Sequence, residues 1–123
     1  MIGAPFVDEA RFLDEMNSRR LDGVVFRKAY FTPGFNKHAG ALCRGLEMHI
    51  TDRESYRPIK TSMYMLSHLM KYPEFEMSKK GMAYRFGNDM LSVNDFDVES
   101  ICKACESELG DFEERSKKYK IYE

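Results

Sequence analysis

Three groups of residues have the types and spacing that chemistry uses. The first is Cys102-Lys103-Ala104-Cys105. A redox CxxC works where a helix N-terminus lowers the thiol pKa, and a zinc site would need two more ligands. The candidates for those are Cys43 and a histidine, His38 or His49. Both CxxC cysteines lie on one apolar stripe between Ile101 and Leu109, where a thiol packs as a small hydrophobe. Core packing is therefore expected, with a thiol or metal protein using Cys102 and Cys105 as the weaker alternative. The second group is Glu47, His49 and Thr51, followed by Asp52-Arg53. Alternate residues of a strand share a face, so a carboxylate, an imidazole and a hydroxyl line up there. Such a face suits a polar ligand or a partner domain, although a solvated sheet face is its commoner use. The third is the loop Asn36-Lys37-His38, between Phe35 and Gly40, whose cations suit an anion or a sugar but are more often simply solvated. No Gly-rich phosphate loop, G-x-S-x-G elbow or H-E-x-x-H is present, so motif chemistry names no enzyme, and no cofactor or metal is expected.

The elements that must hold these groups follow from punctuation and period. Asp8 suits an N-cap, with Phe12, Leu13 and Met16 as the apolar face of a helix to about Arg20. Gly23 suits the left-handed position that closes it. Val24 to Phe31 is β-branched and aromatic and reads as a strand; Thr32 to about Gly40 is a loop. From Gly45 the alternation is clear, placing Leu46, Met48 and Ile50 in the core and Glu47, His49 and Thr51 on the opposite face. Pro58 precedes a helix from Ile59 to Lys71, carrying Met63, Leu66, Leu69 and Met70 inward, and Tyr72-Pro73 stops it. Residues 74–95 show only turns around a short element, at Gly81, Gly87 and Asn88. Asp97 suits the cap of a last helix, whose stripe runs Val98, Ile101, Cys102, Cys105, Leu109 and Phe112. Tyr119 to Tyr122 reads as a short returning strand. Helices and strands mix without strict βαβ alternation, which predicts an α+β domain: a small mixed sheet packed with about three helices.

Composition bounds the function. The chain has 123 residues, 43% hydrophobic and 32% charged, enough to form one real core. Lys and Arg number 19 against 20 Asp and Glu, a net charge of -1. Nucleic-acid modules usually carry a basic excess, so that partner is not expected. No apolar run approaches the ~20 residues that span a bilayer, and no basic-then-apolar leader opens the sequence, so neither export nor anchoring is expected from the chain itself. Three cysteines, an odd number, argue for reduced thiols rather than a disulfide framework. With no repeat or linker, residues 1–123 read as one domain.

Taken as one string, the first half is more specific than any single motif. Ile2-Gly3-Ala4-Pro5-Phe6-Val7-Asp8 opens it, followed by Leu21-Asp22-Gly23-Val24-Val25-Phe26-Arg27 and Phe31-Thr32-Pro33. Cys43-Arg44-Gly45-Leu46-Glu47-Met48-His49-Ile50-Thr51-Asp52-Arg53 comes next, then Tyr56-Arg57-Pro58-Ile59-Lys60-Thr61 and Tyr72-Pro73-Glu74-Phe75-Glu76. This resembles the C-terminal domain of the exo-β-N-acetylmuramidase (NamZ-like) family, formerly a domain of unknown function. The resemblance covers nearly the whole chain, strongest from Ile2 to Phe75. It implies a bacterial glycoside hydrolase that releases N-acetylmuramic acid from the non-reducing end of peptidoglycan fragments. It also implies a Rossmann-like N-terminal domain that holds the acid/base carboxylates and is absent from this chain, with the cleft near the junction. On that basis the chain is an accessory domain, inactive alone, with a peptidoglycan-derived sugar and the N-terminal domain as partners. Arg27, Lys37, Glu47, His49, Thr51, Asp52 and Arg53 are then expected to face the cleft or that domain. The resemblance leaves the compartment open, since family members are often exported. Departures from the family pattern are Asn36-Lys37-His38 for Ser-Lys-Tyr, Gly40-Ala41 for Gly-Glu, Ser62 for glycine and Met77 for tryptophan. The rival of another class is a stand-alone protein-interaction domain, which predicts a sizeable exposed apolar patch.

Overall fold

Asp8 does begin a helix: its Oδ1 accepts the Ala10 and Arg11 amides at 3.1 and 3.0 Å, satisfying donors that the first turn leaves unpaired. A computed structural model describes residues 1–91 and 96–121. Their contacts divide the chain into two units, residues 1–77 and 78–123. Among the described residues the architecture is α+β, with a three-stranded antiparallel sheet and four helices. The first unit contains β1 (Ile2–Ala4), α1 (Glu9–Ser18), β2 (Val24–Phe31), β3 (Cys43–Ile50) and α2 (Pro58–Leu69). The second contains α3 (Lys79–Phe86) and α4 (Val98–Lys117).

The sheet order is β1-β3-β2, with β3 central. β2 pairs with β3 along its whole length, from Val24 opposite Ile50 to Phe31 opposite Cys43. β1, too short to register as a periodic signal, pairs only with Arg44, Gly45 and Leu46. On the helix-covered face Leu46 is fully buried among Phe12 and Met16 of α1, Met65 and Leu69 of α2, and Ala4 and Val7.

Cover is uneven at the Ile50 end of the sheet, where Val24, opposite Ile50, is buried. Met48 is 37% exposed and Ile50 is 50% exposed, so the expectation that Ile50 belongs to the core is corrected. Alternation assigns the face correctly but not how far the cover extends. Leu46→Ala should therefore cost about 2–5 kcal/mol, while Ile50→Ala and His49→Ala should each stay within about 1 kcal/mol of wild type. Urea unfolding of the three variants checks this.

Gly23 is left-handed, at φ +69°, but it is not the cap of α1, which ends at Arg19. It serves the entry to β2 instead. Its carbonyl accepts the Thr51 and Asp52 amides at 2.9 and 3.3 Å, and a Cβ there would lie 2.3 Å from the Asp52 carbonyl oxygen.

In the second unit, α3 occupies the stretch that punctuation reduced to turns. Ser78 caps its start through the Gly81 amide, at 3.1 Å, and Gly87 ends it at φ +91°. Gly81 lies inside this helix, not in a turn. Asp97 caps α4, accepting the Ser100 amide at 2.9 Å. Val98, Ile101 and Cys102 are buried, but Leu109 and Phe112 are 55% and 59% exposed, so the stripe is covered only over the first turns. Tyr119 closes a turn onto Ser116 at 2.9 Å, and Lys120 and Ile121 form no strand. Tyr122 lies outside the described residues.

Candidate functional site

Antiparallel register brings Arg27 directly opposite Glu47, and Val25 opposite His49. Paired residues share a face, so Arg27, Glu47 and His49 stand together on the side of the sheet away from α1 and α2. Arg27 Nε donates to Glu47 Oε2 at 2.6 Å, and its Nη2 also contacts that oxygen. His49 Nε2 lies 3.6 Å from the same atom. Arg27 and His49 are well exposed and Glu47 is half-buried beneath them. The hydrogen bond from Arg27 holds the Glu47 carboxyl below its usual range.

This arrangement limits the chemistry. A glycosidase proton donor needs a carboxyl whose pKa is raised, with a second carboxylate at a set distance across the scissile bond. Glu47 is pushed the other way, and the group bonded to it is the Arg27 guanidinium. Asp52 is also held low, first by the Ser55 hydroxyl at 2.7 Å and then by the Glu54 amide at 3.0 Å, because its carboxylate closes the turn after β3. The group is an ionised carboxylate flanked by a guanidinium and an imidazole, both well exposed.

The remaining expected residues divide. Thr51 continues from β3, its amide bonded to Gly23, and Arg53 is exposed in the Asp52–Ser55 turn. Lys37 lies elsewhere, paired with Glu76 at 3.2 Å. Asn36 and His38 both adopt φ +65°, and the His38 ring meets the edge of Phe6 at 6.0 Å. The structure thus groups Arg27, Glu47 and His49, places Thr51, Asp52 and Arg53 at the end of the same strand, and sets the Lys37 loop apart as a second polar patch.

All three cysteines are thiols; Cys43 and Cys102 are buried and Cys105 is half-buried. Among the described residues no three His, Cys, Asp or Glu side chains converge as a metal site. A thiol reagent should therefore label native Cys105 first, with Cys43 and Cys102 reacting only on unfolding. Fast native labelling of Cys102 and Cys105 together would favour the redox alternative.

One polar cluster escapes the sequence reading. His68, 1% exposed, lies flat on Phe12, with ring centroids 4.3 Å apart. Its Nδ1 is 2.8 Å from Glu15 Oε2 and its Nε2 is 3.3 Å from the Tyr72 hydroxyl. That hydroxyl accepts the Asp8 amide at 3.1 Å, and Lys71 Nζ donates to both Glu15 oxygens at 2.7 and 2.9 Å. Burial pushes the Glu15 carboxyl up, but the hydrogen bonds and charges of Lys71 and His68 outweigh it and lower the pKa to about 2. The signal available was spacing: His68 falls with Met65 and Leu69 on the inward side of α2, where a polar residue requires a partner.

A small antiparallel sheet with helices on one face and the Arg27, Glu47 and His49 group on the other defines the first unit as an α+β fold. The chain belongs to the family described as "Exo-beta-N-acetylmuramidase NamZ, C-terminal", whose family model matches residues 1–122. It is similar to the peptidoglycan beta-N-acetylmuramidase NamZ of Bacillus subtilis, with 38% identity over 99% of this chain and 31% of that protein. Its fold matches the crystal structure of a DUF1343 family protein from Bacteroides fragilis, with a TM-score of 0.72 and 20% identity over 98% of this chain and 34% of that one. The chain thus spans about a third of the length of both.

Proposed function

We propose that this domain serves a bacterial exo-β-N-acetylmuramidase acting on peptidoglycan fragments, as an accessory to catalysis carried out elsewhere. In this reading a Rossmann-like N-terminal domain supplies the acid/base carboxylates. Arg27, Glu47 and His49, with Thr51, Asp52 and Arg53 beyond them, face that domain or the sugar held at the junction, and Lys37 provides a separate contact. The observation that carries the proposal is coverage: 99% of this chain matches only 31% of a named muramidase. The site's electrostatics agree, since Glu47 and Asp52 are held ionised rather than poised to donate a proton.

Incubating the chain alone with a chromogenic N-acetylmuramic acid glycoside should release no dye above background. Turnover by the purified chain, abolished by Glu47→Gln, would overturn the accessory role.

A further inference from the structure

The uncovered end of β3 has an open edge as well as an exposed face. The Thr51 amide donates to the Gly23 carbonyl at 2.9 Å. In an antiparallel ladder alternate pairs exchange both bonds, so Thr51, His49 and Glu47 bond towards β2, and the amides and carbonyls of Met48 and Ile50 point to the opposite edge. On that edge β1 pairs only with Arg44, Gly45 and Leu46. Beside it, between β3 and α2, lies an apolar pocket of about 190 Å³ lined by Ile2, Leu46, Met48, Met65 and Leu66. Met48, which lines it, is 37% exposed, and Ile50, two residues further along the strand, is 50% exposed.

We infer that the open half of β3, Glu47 to Ile50, takes an added antiparallel strand with an apolar side chain opposite Met48, and that in longer members of the family this strand is the polypeptide leading into β1. The register makes the assignment. Ile2 lies opposite Leu46 and Ala4 opposite Arg44, so chain upstream of β1 runs past Glu47, Met48, His49 and Ile50 in turn. A residue paired with Met48 shares its face, the side on which the pocket lies. Open backbone groups supply affinity and a pocket for alternate side chains supplies selectivity, as in strand addition generally. The connection would then pass along the strand that carries Glu47 and His49. The inference rests on the family assignment and is independent of the sugar reading.

The test compares amide hydrogen exchange by NMR in the chain alone and in a fusion. The fusion adds, ahead of Met1, the ten residues that precede the matching domain in the Bacillus subtilis relative. Met48 and Ile50 amides should slow at least tenfold in the fusion, while Leu46, already paired with Ile2, stays unchanged. A second fusion with aspartate at the position opposite Met48 should lose that protection. Equal exchange at Met48 and Ile50 with and without the extension would overturn the inference. So would concentration-dependent protection in the unfused chain, which would give the edge to a second copy. Protection that survives the aspartate would remove the pocket's role. None of these readouts involves a glycan, so failure here is separable from failure of the muramidase reading.

Discussion

Gly45→Ala is expected to cost more than about 3 kcal/mol, beyond the usual range for adding one methyl group. Gly45 faces Gly3 across the β1–β3 pair. A Cβ on Gly45 would lie 2.0 Å from the Ile2 carbonyl oxygen and 2.6 Å from the Gly3 Cα, and both are backbone atoms that cannot swing aside. β1 must separate from β3, and with it Ala4, which closes the core beside Leu46. The contrasting substitution is Gly110→Ala. That glycine lies inside α4 with nothing within 4 Å of its missing Cβ, so alanine should stabilise by about 0.5–1 kcal/mol through helix propensity. Urea midpoints for the two variants should move in opposite directions.

His68→Ala should cost about 3 kcal/mol. It removes a buried ring stacked on Phe12, and with it the link between Glu15 of α1 and the Tyr72 hydroxyl that receives the Asp8 amide. The same cluster sets a pH dependence. The Glu15 carboxyl has its folded pKa lowered to about 2, so its contribution to stability is complete above the unfolded carboxylate range. That contribution is lost as pH falls from about 5 towards 2. Other carboxylates held low, at Asp8, Glu9, Glu47, Asp52 and Asp97, weaken the fold over the same range. The informative quantity is therefore a difference: acid should destabilise wild type more steeply than Glu15→Gln. Parallel curves of midpoint against pH would show that the carboxylate contributes nothing there.

What could be read from the chain alone was what local chemistry determines. Asp8 and Asp97 identify themselves as caps because the hydrogen bonds they make lie within three residues. β2 identifies itself by its β-branched and aromatic residues, and β3 by its period of two. The losses are all non-local. Ile50 has the right parity for the core and is still exposed, while Val24, opposite it, is buried: burial depends on what packs over each position, not on parity. The Arg27–Glu47 pair depends on strand register, which no single segment encodes. His68 becomes intelligible only when α1 brings Glu15 to it across 53 residues of sequence. Leu109 and Phe112 continue a good stripe beyond the part of α4 that is covered. The family resemblance supplied what the motifs could not, because each motif alone had an ordinary structural use.

Arg27, Glu47 and His49 are proposed to serve a catalytic partner that lies outside this chain. A chimera tests it most directly, with this chain replacing the matching third of the Bacillus subtilis muramidase and release of N-acetylmuramic acid from peptidoglycan fragments measured by chromatography. The chimera should be active, and Glu47→Gln and His49→Ala within it should each lower kcat/KM at least tenfold, about 1.4 kcal/mol, with the thermal unfolding midpoint unchanged. A folded chimera that is inactive, or one whose activity is indifferent to both substitutions, would contradict the account.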